Sequence, residues 1–410
     1  MTVAILRGSR PSYALDNATN LLSGAATART RLAKGPEMTR LEKALTLVDE
    51  WVGPQGPSGV GAAIWRHGQI VAEHYSGMAT PSRVVDVQTL FPLASVTKPI
   101  AAAAIMTLLD AGQLSLDEPV SRLVPEFRAG PTASEDEIDP ELERYRHTIG
   151  VRHLLSHVSG LPEDLGPRDS RYRETVGLDV VIDQMLRLPL KSAPGKELRY
   201  SNAGFGVLAR VGEVVSERPF WDLAEDKMLR PLGLEDIVAN PSGSVVERVA
   251  LLADTTNPDS ELESYNGAYW RSLALPWGGL FGSPRDVVRF AASFLPSGEQ
   301  VLSEASVREM IRDQTNGVPG GVESAKVRWD AGRWGLGWEV KGDKRRHWTG
   351  DLTSPATFCH FGHAGTLLWG DPERDLALAV FVNRAVTHMW GFILTRWARL
   401  SNAVVAAVTP

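Results

Sequence analysis

Two β-hairpin patterns near opposite ends of the chain most constrain how this sequence can fold. In residues 59–79 two apolar, β-rich runs meet at Gly68, and in residues 366–384 two similar runs flank Pro372. Short turns that contain glycine or proline between β-rich runs are typical of antiparallel hairpins. The sequence therefore predicts an antiparallel sheet that is built from both ends of the chain.

The segments outside these hairpins indicate an α+β fold, in which helices from both chain ends flank the sheet. Leucine and valine spacing predicts a helix ahead of the first hairpin, and an apolar helix is predicted from about Met389. Between the hairpins, segments with helical spacing alternate with proline and glycine. We therefore predict a leader at residues 1–40, an α/β lobe at 41–115 and 326–410, and an inserted, mainly helical lobe at 116–325.

The composition excludes several classes of function. The 410 residues are 43% hydrophobic and 22% charged, so the chain can bury a large core. A formal net charge of -6 provides no basic field for nucleic acid, and no segment approaches the roughly 20 continuous apolar residues of a membrane span. The single cysteine, Cys359, excludes an internal disulfide. We therefore expect no nucleic-acid partner and no membrane partner. Because the first residues lack the apolar core of a signal peptide, we also expect a cytoplasmic protein.

Two charge-rich segments are predicted to be exposed loops without a chemical role. One is the acidic stretch at residues 128–147, and the other is the short run at Asp343 to Arg346. Charge clusters of this kind usually face water.

The chemistry is concentrated at the start of the apolar run FPLASVTKPIAAAAIMTLLDAG, where Ser95 precedes Lys98 by three residues. If a helix begins near Ser95, both side chains lie on one face of its first turn. An amine there can activate the serine hydroxyl, and the N–H groups of the helix start can stabilise an oxyanion. The alternative is a capping serine and a solvated lysine.

Two further motifs follow in a fixed order: YSN at Tyr200 to Asn202, and HAG at His363 to Gly365 at the head of a strand. Alone, Tyr200 would be read as a buried aromatic residue and Asn202 as a helix cap. Together with the serine–lysine pair, the chain from about residue 45 to 400 resembles the serine β-lactamase and penicillin-binding protein superfamily. The similar branch contains class C β-lactamases, D-alanyl-D-alanine carboxypeptidases, D-aminopeptidases and family VIII carboxylesterases.

This resemblance implies a β-lactamase/transpeptidase-like fold with one catalytic unit between its lobes, and it implies acyl transfer without a metal or an organic cofactor. Whether the lysine or the tyrosine of the motifs takes the first proton stays open. The implied roles are nucleophile for Ser95, neighbouring amine for Lys98, proton shuttle for Tyr200, oxyanion N–H groups for Ser95 and Thr366, and substrate contacts for Asn202, His363, Gly365 and Trp277. Trp270 is a second candidate for the pocket wall.

The third motif begins with His363, where β-lactamases and most carboxypeptidases of the superfamily carry a lysine that holds the substrate carboxylate. This departure favours a carboxylesterase of short acyl esters acting on a small-molecule substrate. The alternatives are a D-aminopeptidase or D-alanyl-D-alanine carboxypeptidase-like amidase, a weak β-lactamase and, more remotely, a non-catalytic binding protein.

Three other patterns are given structural interpretations. Residues Gly204 to Ala209 match a dinucleotide-binding fingerprint but lack a buried strand before them. His153 and His157 have a zinc-compatible spacing but no third ligand, so they are expected in the core or at a helix end. Cys359 is expected to be an inert packed residue.

Overall fold

A computed structural model describes residues 36–131, 138–166, 171–386 and 390–409 of the chain. Most of the predicted leader lies outside the described residues. The first described helix begins at Pro36, near the predicted end of the leader at residue 40.

The helices and strands of the described residues are numbered here in chain order. The helices are α1 (Pro36–Leu45), α2 (Thr97–Asp110), α3 (Val120–Leu123), α4 (Pro125–Arg128), α5 (Pro140–Glu143), α6 (Val151–Leu155), α7 (Leu178–Leu186), α8 (Asn202–Ser216), α9 (Phe220–Ala224), α10 (Ala268–Leu273), α11 (Pro284–Ala292), α12 (Glu304–Ile311) and α13 (Trp390–Val408). The strands are β1 (Gly59–Arg66), β2 (Gln69–Thr80), β3 (Arg83–Val84), β4 (Phe91–Pro92), β5 (Leu198–Arg199), β6 (Ile237–Ala239), β7 (Leu280–Gly282), β8 (Gly320–Val322), β9 (Val327–Trp329), β10 (Glu339–Val340), β11 (Phe358–Gly362), β12 (Thr366–Asp371) and β13 (Leu376–Val382).

The main sheet is antiparallel and joins both ends of the chain, as predicted. Its seven strands lie in the order β10-β11-β12-β13-β1-β2-β3. Strand β1 pairs with β13 from Val60↔Val382 to Arg66↔Leu376. The predicted hairpins β1–β2 and β12–β13 therefore lie side by side at the centre of the sheet.

Both faces of this sheet are covered, and the pleat explains why its central strands are apolar throughout. Along β1, Val60, Ala62 and Ile64 belong to the core cluster under α1 and α13, whereas Ala63 and Trp65 belong to the cluster with α2 and α11. Alternate residues of a strand face opposite sides of the sheet. A strand with helices on both sides therefore contains few polar residues.

Helix α2 occupies the centre of the molecule. Its residues from Thr97 to Met106 are all buried, because α8 and α9 pack on it from the helical region while its apolar residues share one core cluster with α11 and the main sheet. A helix that is apolar all round is expected only in such a position. The region predicted as a helical lobe also contributes to two small sheets, with strand orders β4-β7-β6 and β5-β8-β9.

The exposure predicted for the two charge-rich segments is wrong in part. Lys344 is buried, and its amine donates to Glu339 at 2.7 Å. In the acidic stretch, residues 132–137 lie outside the described residues, but Arg146 is buried against the carbonyl oxygen of Leu188 at 2.5 Å. Each cation can be buried because it donates a hydrogen bond within the protein. Sequence composition does not reveal such a partner.

Within the described part of the chain, no helix combines the length and apolarity needed to cross a bilayer. Cys359 is buried on β11, in agreement with its predicted packing role.

Candidate active site

Ser95 lies in a short 3₁₀ turn, Ala94–Val96, immediately before α2. The helix thus begins two residues later than the sequence predicted, at Thr97. The turn nevertheless brings the predicted pair together, since the Lys98 Nζ is 3.2 Å from the Ser95 Oγ. Ala94 has a φ of 47°, a left-handed conformation that costs an L-residue about 1 kcal/mol or more. This local strain is maintained by the surrounding packing, in which Ala94 is buried.

The Lys98 side chain is fully buried, which makes its amine unusually acidic. Its Nζ donates to the Trp277 carbonyl oxygen at 2.7 Å as well as to Ser95. No described carboxylate forms an ion pair with it. Burial lowers the pKa of Lys98 to about 7, a fall that the negative charges of Asp164 and Glu163 partly oppose. An amine with this pKa can accept a proton at neutral pH.

Tyr200 follows β5 and points its buried hydroxyl toward the serine. Burial raises the pKa of Tyr200 well above its usual value, while the nearby Ser95 hydroxyl acts in the opposite direction. The hydroxyl has no hydrogen-bond partner of good geometry among the described residues, so it is available to a bound molecule. The Lys98 Nζ lies 4.6 Å from the centre of the Tyr200 ring.

The imidazole of His157 packs against the ring of Tyr200. The two ring centroids are 4.4 Å apart, and the His157 Nδ1 accepts a hydrogen bond from the Ser201 N–H at 3.0 Å. Burial and the positive charge of Lys98 keep the pKa of His157 well below its usual value, which makes it a neutral acceptor. The predicted core role is therefore correct, but its contact with Tyr200 could not be recognised from spacing alone. The Nδ1 of His153 accepts from the Gly150 N–H at 3.0 Å, as expected for a residue at a helix end.

Asn202 begins α8, and the alternative in which it caps that helix is wrong. The cap is Ser201, whose Oγ accepts from the Gly204 N–H at 2.9 Å. This frees the Asn202 side chain, whose Nδ2 donates to Asp164 at 3.0 Å. The Asn202 Oδ1 is buried without a partner among the described residues.

The HAG motif forms the turn between β11 and β12. Gly365 has a φ of 88°, and a Cβ there would overlap Val382, so only glycine fits this turn. Gly365 is not among the described residues that line the cavity beside Ser95. The Thr366 Oγ1 donates to the Leu93 carbonyl oxygen at 2.9 Å, which ties the start of β12 to the chain that leads into the Ser95 turn.

A cavity of about 1000 Å³ opens beside Ser95. Its wall includes Tyr200, Asn202, His363, Trp270 and Trp277, all of which the sequence placed at or near the site. His363 is exposed at its rim, although partial desolvation still lowers its pKa. Trp277 also contributes a backbone contact, because its carbonyl oxygen accepts a hydrogen bond from the Lys98 Nζ.

Comparison with known proteins identifies the family. A family model described as Beta-lactamase matches residues 46–401. The chain belongs to the beta-lactamase family. Esterase EstB of Burkholderia gladioli is 30% identical over 378 residues, which cover 81% of this chain and 88% of the relative.

Two further proteins are similar over most of the chain. A putative D-alanyl-D-alanine carboxypeptidase of Escherichia coli O157:H7 is 26% identical over 379 residues, covering 83% of this chain and 82% of the relative. The crystal structure of a family VIII carboxylesterase matches with a TM-score of 0.74 at 21% identity, covering 93% of this chain and 100% of the other. The resemblance and the β-lactamase/transpeptidase-like fold predicted from the motifs are thus confirmed.

The sequence did not predict two acidic residues in the cavity of this beta-lactamase-family chain. Glu163 and Asp164 both line the cavity, in the segment after α6. That segment is held by the Asn202 N–H, which donates to the Glu163 carbonyl oxygen at 2.7 Å. The only available signal was the Pro-Glu-Asp sequence directly after the predicted helix, which is not specific for a site.

Among the described residues, one group could offer three ligand atoms to a metal. The ligand atoms of Glu339, His347 and Cys359 all lie within 4.8 Å of one another, and all three residues are buried. Lys344 already donates to Glu339 at 2.7 Å, so the carboxylate charge is balanced within the protein. None of these residues lines the cavity beside Ser95, and the group is best explained as a buried ion-pair network.

The dinucleotide-binding alternative is also excluded by position. Gly204 to Ala209 lie inside α8 instead of in a turn between a strand and a helix. Gly206 faces Met185 of α7 and Trp277, which is a packing role.

Proposed function

We propose that this protein of the beta-lactamase family is a carboxylesterase of short acyl esters, and that it works through an acyl-enzyme formed on Ser95. The observation that carries the proposal is the buried Lys98 amine, which lies 3.2 Å from the Ser95 Oγ and has a pKa of about 7. A serine hydroxyl needs such a base, because it is almost fully protonated at neutral pH.

In the proposed acylation step, the neutral Lys98 amine takes the proton of Ser95 while the serine oxygen bonds to the ester carbonyl carbon. The oxyanion that forms is stabilised by the backbone N–H groups of Ser95 and Thr366. The proton then passes by way of the Tyr200 hydroxyl to the leaving alkoxide, and the alcohol departs. In deacylation, water attacks the acyl carbon and gives a proton to the same groups. These groups pass a proton to the Ser95 oxygen as its bond to the acyl carbon breaks, which releases the acid and restores Ser95.

The charges around the cavity support uncharged esters over substrates with a carboxylate. Among the described residues that line the cavity, the acids are Glu163, Asp164 and Glu323, whereas the only lysine is Lys326. A histidine with a lowered pKa stands where a lysine would hold a carboxylate. The similarity to esterase EstB points in the same direction. An amidase with the same mechanism is the second candidate, which the similarity to a carboxypeptidase favours.

A labelling and hydrolysis experiment tests the proposal. The wild type should gain the mass of a fluorophosphonate probe and hydrolyse p-nitrophenyl acetate and butyrate faster than D-alanine p-nitroanilide or nitrocefin. Ser95→Ala should lose both the label and the turnover. Ser324→Ala removes another hydroxyl from the cavity wall and should retain the label. Turnover that persists in Ser95→Ala would rule out the proposed nucleophile, and a preference for the anilide would favour the amidase.

A further inference from the structure

Asp164 places an uncompensated carboxylate in the catalytic cavity. Its Oδ1 accepts from the Leu165 N–H at 2.8 Å and its Oδ2 from the Asn202 Nδ2 at 3.0 Å. No described cation forms an ion pair with it. Desolvation raises the pKa of Asp164, although its hydrogen bonds and the charge of Lys98 oppose this rise. The Asp164 side chain is exposed to the cavity, so a cation can bind beside a carboxylate that has neutral donors only.

Asn202 adds a second acceptor to the same place. Because its Nδ2 is engaged by Asp164, the amide presents its Oδ1, which is buried and has no partner among the described residues. A buried acceptor without a donor carries a desolvation cost. A ligand that donates hydrogen bonds would remove this cost, whereas a ligand carbonyl would not.

The surrounding groups reinforce a preference for a positive ligand. Glu163 contributes a further negative charge, although its carboxylate accepts hydrogen bonds from the N–H and the hydroxyl of Ser324. The histidines on the cavity wall, His360 and His363, both have lowered pKa values because they are desolvated, so they add no positive charge at neutral pH. The cation Lys326, in the segment that follows β8, also lines the cavity and acts against this preference.

We propose that the acyl part of the substrate carries a primary amine, which binds between the Asp164 carboxylate and the Asn202 amide oxygen. The substrate class is then an ester of a small α-amino acid. This inference rests on the proposed function, because it places the scissile carbonyl at Ser95. Asp164 and Asn202 would determine specificity, while the bond that is broken remains the ester bond.

A pair of esters that differ only in the amine tests the inference. Alanine benzyl ester, in both enantiomers, and benzyl propanoate have the same carbon skeleton and leaving group, and released benzyl alcohol measures both. We expect kcat/KM for the better alanine enantiomer to exceed that for benzyl propanoate by about tenfold, as for one charge-assisted hydrogen bond. N-acetylalanine benzyl ester, in which the amine is uncharged, should lose this advantage.

Asp164→Asn should lower the ratio of the two efficiencies by about tenfold, and the ratio cancels any effect of the substitution on Lys98. Glu323→Gln is the matched control, because Glu323 is an exposed acid on the same cavity wall, and it should keep the wild-type ratio. A wild-type ratio near one, an unchanged ratio in Asp164→Asn, or an advantage that survives N-acetylation would overturn the inference. If benzyl propanoate is still hydrolysed and Ser95 labelled, the proposed function survives that result. If Ser95 is not labelled and no ester is cleaved, both fail.

Discussion

The Lys98 Nζ lies 4.6 Å from the centre of the Tyr200 ring, and both side chains are buried beside Ser95. Burial disfavours the charged form of each group, so it moves their pKa values in opposite directions. The pKa of Lys98 falls to about 7, whereas that of Tyr200 rises well above its usual value. At neutral pH, the amine is therefore the better proton acceptor, and the phenol stays protonated, as the proposed relay requires.

The first prediction is an acid limb in the pH dependence of kcat/KM for a neutral ester. We expect kcat/KM to rise with pH through about 7, as Lys98 loses its proton. Because the charge of Asp164 raises the pKa of Lys98, Asp164→Asn should move this limb to lower pH. A limb that stays in place or moves to higher pH would exclude Lys98 as its origin. Stopped-flow or initial-rate measurements of p-nitrophenyl acetate hydrolysis provide the profile.

The second prediction concerns the relay. Tyr200→Phe removes only the hydroxyl, so the packing of the ring against His157 should remain. We expect kcat to fall by about 10²- to 10⁴-fold, as for other positioned acid–base groups, with a smaller change in KM. The acid limb should persist in the residual activity, because Lys98 is unchanged. If only KM changes, the phenol is a binding contact.

Much of the fold was predictable because its signals are local. The turn at Gly68 lies next to both strands of the first hairpin, and the serine–lysine spacing places two side chains on adjacent turns of the chain. The pairing of Val60 with Val382 is not local. The sequence predicted one sheet from both ends of the chain, but it did not predict this register, because no local signal specifies which strands of the two hairpins pair.

The features that the sequence did not reveal depend on tertiary packing. Lys344 looked solvated within a charged run, but Glu339 of β10 accepts its hydrogen bond in the core. Asp164 reaches the cavity only because residues 201 and 202 bind the segment after α6 through the Pro162 and Glu163 carbonyl oxygens. Glu339 is only five residues from Lys344 in the sequence, but the burial of this pair depends on how β10 packs in the folded sheet. Asn202 is 38 residues from Asp164, so local spacing cannot reveal their contact.

The third prediction uses stability to test the burial of Lys98. Burial lowers the pKa of Lys98 from 10.5 to about 7, so the unfolded chain binds this proton more tightly than the folded chain. Below the pKa of Lys98 in the folded state, the cost of burying the charged amine lowers the free energy of unfolding of the wild type by its full amount. This cost disappears as the pH rises toward the pKa of Lys98 in the unfolded chain. Relative to Lys98→Met, the free energy of unfolding of the wild type should rise by about 1.4 kcal/mol per pH unit in that window. Urea titrations of both proteins from neutral to alkaline pH measure this difference, and a constant difference would contradict it.

The fourth prediction concerns the close approach of β11 to the Ser95 turn. A Cβ on Gly362 would overlap the Leu93 carbonyl oxygen and the Thr366 Oγ1. Gly362→Ala should therefore destabilise the protein by about 2 kcal/mol or more and displace the proposed oxyanion N–H groups. We expect a loss of kcat in the protein that remains folded, measured at a temperature below its unfolding transition. Gly53→Ala is the control, since a Cβ there meets no atom within 4 Å. Equal stability and activity of the two variants would show that β11 can move away without consequence.

The last prediction concerns His363, the point at which this chain departs most from the lysine-bearing members of its family. The side chain is exposed at the cavity rim, and its lowered pKa leaves it uncharged at neutral pH. His363→Lys would introduce a permanent positive charge near the proposed oxyanion strand. We expect kcat/KM for nitrocefin, which carries a carboxylate, to increase several-fold relative to p-nitrophenyl acetate, since an exposed charge pair contributes about 1 kcal/mol at most. The ratio is the correct measure, because the substitution can disturb Tyr200 and lower both rates. A flat or falling ratio in a folded variant that still takes the fluorophosphonate label would mean that His363 does not set the proposed discrimination against carboxylate-bearing substrates. The acids Glu163 and Asp164 would then be the remaining determinant.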